Sequence, residues 1–130
     1  MRNRIAAQAA ILLWAALQLS GCASGSQPQT AGPDYGKATL ACVNALLNTS
    51  VAMPEIVVLK RSDFAARFGA EFDGYYVGRE QRVYLSSRRD GTLLAHELAH
   101  HARVVSGGVI DEPEAENAAM QCRDGRGWRG

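Results

Sequence analysis

The stretch His96-Glu97-Leu98-Ala99-His100 constrains this chain more than any other. It lies inside residues 92–105, where Leu94, Leu98, Ala102 and Val105 recur at helical spacing and Gly91 and Gly107 mark the ends. Asp90 or Thr92 is placed to cap the start. Side chains four positions apart on a helix stand one above the other. His96 and His100 therefore offer two imidazoles to one point in space, where a metal ion can sit. Glu97 is turned about 100° from His96, so it can reach a water held there without binding the ion itself.

The rest of the chain must supply a frame for that helix. With 130 residues it has room for one domain. The formal charge of +1 exerts no strong pull on a polyanion, and no nucleic-acid partner is expected. Residues 1–21 do not belong to the domain. Arg2 and Arg4 precede an apolar run from Ile5 to Leu19, broken only by Gln8 and Gln18, which reads as an export signal rather than a membrane span. The run ends in Leu19-Ser20-Gly21-Cys22, which closely resembles the lipobox of bacterial lipoproteins. That resemblance implies that Cys22 is acylated, palmitate included, and becomes the mature N-terminus. Each buried methylene of such an anchor adds about 0.8 kcal/mol of membrane affinity. Ala23 follows Cys22, and by the same resemblance this favours the periplasmic face of the outer membrane. Residues 22–36 are rich in Gly, Pro, Ser and Gln and read as a flexible tether. The domain is expected at residues 37–125 and a Gly- and Arg-rich flexible tail at 126–130.

Setting Cys22 aside leaves Cys42 and Cys122, an even pair in an exported chain, where a disulfide can form. The bridge would close a loop of roughly eighty residues, worth on the order of 4 kcal/mol in the chain-entropy description. Two buried free thiols are the alternative; a ligand role for either Cys lacks the spacing.

Between the cysteines the pattern is mixed. Residues 38–49 form a helix with Leu40, Val43, Leu46 and Leu47 as its apolar stripe. Pro54 opens the extended run Glu55 to Lys60, whose near-continuous apolar character suits a central strand covered on both faces. Ser62 is placed to cap a short helix over 63–68, which Gly69 ends. Strands at 75–77 and 82–85 flank a Gly-containing turn, a β-hairpin. The second of these leads into the metal-site helix and is expected to be the sheet edge where an extended peptide adds as a strand. The Tyr76 and Tyr84 rings read as hairpin packing. His101 faces away from the His96/His100 stripe and reads as a surface histidine or one that supports the site from behind. The fold class is α+β.

Two His ligands and a Glu base at this spacing are the zinc-peptidase arrangement, and a catalytic zinc usually takes three protein ligands. No further His follows His101, but Glu112, Glu114 and Glu116 do, on a helix with Asp111 as its cap, Pro113 in its first turn and Glu114 placed as in a capping box. Here the chain resembles the gluzincins, zinc peptidases with His-Glu-x-x-His on one helix and a Glu ligand on the next, and looks especially similar to their minimal bacterial forms. The resemblance spans most of residues 38–122, and it implies a zincin-like domain with Zn2+ as cofactor.

The third ligand stays open. Glu112-Pro113-Glu114-Ala115-Glu116 fits the family's Glu-x-x-Ala literally, but Glu112 precedes the proline at the helix cap. Glu114 with Glu116 and Gln121 fits the minimal members, and Glu116 suits the depth to which the returning helix must climb. Glu114 is preferred, with Glu116 as the alternative. The function implied is a monomeric, lipid-anchored metallopeptidase that hydrolyses peptide bonds of a peptide or cell-envelope protein through a zinc-activated water, with Glu97 as general base. Tyr75, Arg103 and Arg79 are the candidate oxyanion donors. The alternative is a zinc-fold lipoprotein that acts without turnover in cell-envelope binding or assembly.

Overall fold

The computed structural model describes residues 28–32, 34–87, 91–109 and 111–123. Cys22, the export signal and the 126–130 tail lie outside them. The fold is α+β: four helices and a four-stranded mixed sheet among the described residues. In chain order these are β1 (Gln29–Thr30), α1 (Lys37–Leu47), β2 (Glu55–Val58), α2 (Arg61–Phe68), β3 (Gly74–Val77), β4 (Arg82–Leu85), α3 (Gly91–Val105) and α4 (Glu112–Cys122). A single 3-10 turn, Gly78–Glu80, joins β3 to β4.

The strand order is β1-β2-β4-β3. β2 and β4 run parallel, with Ile56 opposite Val83 and Val58 opposite Leu85. β3 lies antiparallel to β4, and β1 antiparallel to β2. β2 is central, as its apolar run requires, and alternation sends its side chains to two cores. Ile56 joins Val83 and Leu85 in the larger core against Val43 of α1, Leu94 and Leu98 of α3 and Ala118 of α4. Val57 joins Tyr84 and Phe64 in the smaller core beneath α2.

Three local expectations are corrected. The stretch read as a tether is not wholly one. Gln29–Thr30 pairs with Val57 and Val58, the Ala31 N–H donates to the Ile56 carbonyl, and Tyr35 packs on the larger core. A polar, Gly- and Pro-rich sequence can still lend two backbone units to an exposed strand edge, because such pairing needs no side chain. Ser62 is not a cap: α2 begins at Arg61, with Lys60 at the N-cap and no side-chain bond there. Nor is β4 the edge of the sheet. It is flanked by β2 and β3, so the edge facing α3 is β3. That swap follows from the parallel pairing of β2 with β4, a long-range choice that the local alternation of the hairpin does not contain.

One covalent link closes the domain. Cys42 on α1 and Cys122 on α4 form a disulfide across a sequence separation of 80 residues, with both cysteines buried in the larger core.

Candidate metal centre

The site is built on α3. Leu94, Leu98 and Ala102 bury the face of this helix that packs on the larger core. His96 and His100 then fall together on a face beside it, with His100 7% exposed and the His96 side chain 22% exposed. Their Nε2 atoms lie 3.1 Å apart with the rings nearly perpendicular, at 76°.

The third group comes from α4. Glu112 puts one carboxylate oxygen 3.1 Å from His96 Nε2 and the other 3.0 Å from His100 Nε2. Among the described residues, this is the group of His, Cys, Asp and Glu side chains whose donor atoms converge, all within 4.8 Å of one another. Three donor atoms about 2.0–2.1 Å from a tetrahedral zinc stand about 3.3 Å apart. The two Nε2 atoms, 3.1 Å apart, are close to that, while Glu112 meets each histidine through a different oxygen; two imidazoles with one carboxylate are the donor chemistry of a catalytic zinc site. The donor set of His96, His100 and Glu112 is one that could hold a metal ion, and its chemistry suits the zinc that the resemblance implied.

The carboxylate at the His pair is thus neither Glu114 nor Glu116. Glu114 turns away and takes a two-pronged ion pair from Arg103, Nε to one oxygen and Nη2 to the other at 2.8 Å. Asp111 makes no side-chain cap bond, so the expected capping box is not formed. Glu116 is exposed and lies beyond His96, in a neighbouring hollow that Leu93 and Met120 also line. Gln121 pairs with Asn117 instead of reaching the site. Glu112 sits in the first turn of α4 with Pro113 beside it. α4 approaches so that this first turn, rather than a deeper one, faces the His pair. The literal Glu-x-x-Ala match was the sequence signal that pointed to it.

Glu97 is 6% exposed and lines the same cleft, an opening of about 340 Å³ bounded also by Phe72, Gly74, Tyr75 and Tyr76. Burial pushes its carboxyl up to about 7, with the Glu112 charge acting in the same sense. A hydrogen bond from the Tyr76 backbone N–H works in the opposite sense. Burial also lowers the His100 pKa, and Glu112 partly opposes that. Both groups are tuned by position: Glu97 is driven toward its protonated form, and His100 toward the neutral form that binds a metal.

His101 is not at the surface. It is 2% exposed, its Nε2 lies 2.8 Å from the Ala52 carbonyl oxygen and its Nδ1 2.9 Å from the Tyr76 hydroxyl. The carbonyl can only accept, so Nε2 carries the proton and Nδ1 accepts from the tyrosine. Burial lowers the His101 pKa and so favours this neutral tautomer. The imidazole thereby fastens the side chain of Tyr76, whose backbone amide holds Glu97. Sequence reasoning gave the Tyr76 ring to hairpin packing and missed this chain of contacts, because it joins residues 52, 76, 97 and 101 only in space. Tyr84 does act in packing, with its hydroxyl donating to Glu80 at 2.6 Å.

Of the three candidate oxyanion donors, Tyr75 lines the cleft, half-exposed on β3 and stacked on Phe68. Arg103 is committed to Glu114. Arg79 lies in the 3-10 turn, outside the cleft lining.

Comparison of this chain with known protein families, with curated proteins and with solved structures finds no match.

Proposed function

We propose that this chain is a zinc-dependent metallopeptidase of the bacterial cell envelope, held to the membrane by a lipid on Cys22. The observation that carries the proposal is the convergence of His96, His100 and Glu112 at one point, with the buried carboxylate of Glu97 in the same cleft. These three residues would hold the ion. Zinc, when bound, supplies Lewis acidity to water and to a peptide carbonyl.

The remaining work belongs to the protein. Successive residues of a strand point their backbone groups to opposite sides. Tyr76 gives its N–H to Glu97, so Tyr76 and Gly74 turn their polar groups away from β4 and toward the cleft. Among the described residues β3 is an edge strand, and the carbonyls of both, with the Gly74 N–H, lie along the side where an extended peptide would pair. Glu97 takes a proton from the attacking water on its carboxylate and returns it to the departing amine. Burial raises the Glu97 carboxyl and a bound cation would lower it again, so the two oppose each other at the group that must both take and return the proton. The Tyr76 amide fixes its direction.

An exported location fits the Cys42–Cys122 bridge, which persists in an oxidising compartment. The rival reading, a lipoprotein that keeps the metal without turnover, leaves the placing of Glu97 in the cleft unexplained, because burying a carboxyl that is not needed for chemistry costs stability. The test is elemental analysis of the full chain purified in detergent without a metal-affinity tag, paired with peptide hydrolysis. About one zinc per chain is expected, together with hydrolysis that Glu97→Gln abolishes while zinc stays bound. A chain that takes up no zinc, or a Glu97→Gln variant as active as the parent, refutes the proposal.

A further inference from the structure

Apart from its contacts with His96 and His100, Glu112 has little of its own to hold it in place. Its side chain is 64% exposed, and Asp111 before it makes no side-chain cap. The loop that delivers it contains Gly107, at a φ of 77° that favours glycine, and then Gly108. The disulfide fixes α4 at Cys122, ten residues on, or about 15 Å away along the helix. The first apolar anchor of α4 is Ala115. Among the described residues, the side-chain bonds that tie the first turn down beyond those of Glu112 to the two histidines come from Arg103.

Arg103 grips this corner twice. Its carbonyl accepts the Gly108 N–H at 2.8 Å, which closes the end of α3. Its guanidinium takes both oxygens of Glu114, two residues past Glu112. The fork-on-fork geometry fixes orientation as well as distance. Both partners are about 30% exposed, so the pair is partly sheltered from water. A side chain at Gly108 would press on Arg103 Cδ, 3.2 Å from the nearest added atom, so the loop is shaped around this arginine.

We propose that Arg103 and Glu114 are positioning residues for the metal centre: their ion pair sets the first turn of α4 so that Glu112 meets His96 and His100, and it keeps Glu114 out of the ligand set. This rests on the zinc reading above. The pair acts on the ligand without touching the ion. Groups bonded directly to a metal ligand typically change metal affinity 10–100-fold when removed; this pair reaches Glu112 through two residues of α4, and an effect at the lower end of that range is expected.

The test is zinc affinity, measured by competition with a chromophoric chelator. The proteins are the full chain in detergent, Arg103→Gln, Glu114→Gln, the double variant and Arg103→Lys, with circular dichroism to confirm the fold. Each single neutral variant should bind zinc at least 10-fold more weakly. The double variant should be no weaker than either single, because the pair acts as a unit. Lysine keeps the charge without the fork and should fall between. Singles that bind like the parent overturn the inference and leave the zinc reading standing. Loss of zinc in Glu114→Gln but not in Arg103→Gln also overturns it, since Glu114 would then be a ligand. A parent chain that binds no zinc removes the zinc reading and this inference with it.

Discussion

Glu97→Gln should make the metal-free protein more stable at pH 8, although it removes the general base. In the fold the Glu97 carboxyl is raised from 4.5 to about 7, chiefly by burial. The folded state therefore holds a proton that the unfolded state has already lost. Stability tied to this group is fully present below 4.5 and is lost as pH rises through 7. Integrating between those values gives a cost of about 1 kcal/mol at pH 5 and about 3 kcal/mol at pH 8. A glutamine at 97 has nearly the same shape and does not titrate. Urea unfolding of the chelator-treated parent and variant at both pH values measures the difference. The variant should gain about 2 kcal/mol on the parent between pH 5 and pH 8, and histidine titrations common to both proteins cancel. A difference that stays flat over this range would refute the view that Glu97 is buried without an adequate partner in the metal-free state. Saturating zinc should shrink the gap, since a nearby cation favours the carboxylate.

Other consequences can be measured directly. Reducing the Cys42–Cys122 bridge removes a loop closure over a separation of 80 residues, so the urea midpoint should fall by the equivalent of about 4 kcal/mol with reductant present. His101→Phe leaves the Tyr76 hydroxyl and the Ala52 carbonyl without their partner, and should cost about 2 kcal/mol by the same assay; a neutral result would deny the Tyr76 clamp. Gly91 approaches α4 so closely that an added Cβ would lie 1.8 Å from the Arg123 carbonyl oxygen, so Gly91→Ala should destabilise by about 2 kcal/mol or more in thermal melts. His100 and His101 have lowered pKa values, so the unfolded state takes their protons first as pH falls. Metal-free Glu97→Gln should therefore lose stability as pH drops below about 6.5, which unfolding curves at pH 7.5 and 5.5 check.

Residues 91–105 alone determined much of this protein. Helical spacing is local, so placing His96 and His100 on one face and Glu97 at an angle to them needed no knowledge of the fold. The same holds for α1, for the punctuation at Gly69 and for the hairpin, whose strands fall where β-branched and aromatic residues cluster. Two cysteines left after Cys22 pointed to one bridge. The α+β class followed from these pieces.

Tertiary structure decided the rest. Which of three closely spaced glutamates meets the His pair depends on how α4 packs against α3. Arg103, eleven residues before Glu114, settles that by claiming Glu114 and leaving Glu112 to the site. Which strand is the edge depends on β2 pairing parallel with β4, and that contact joins segments some 27 residues apart. The two-residue β1 exists because β2 has an unfilled edge, not because Gln29-Thr30 favours a strand. The cause is the same in each case. Periodicity and capping act within a few residues, whereas ligand choice, strand order and the orientation of Glu97 are fixed by contacts between elements that the chain brings together only on folding.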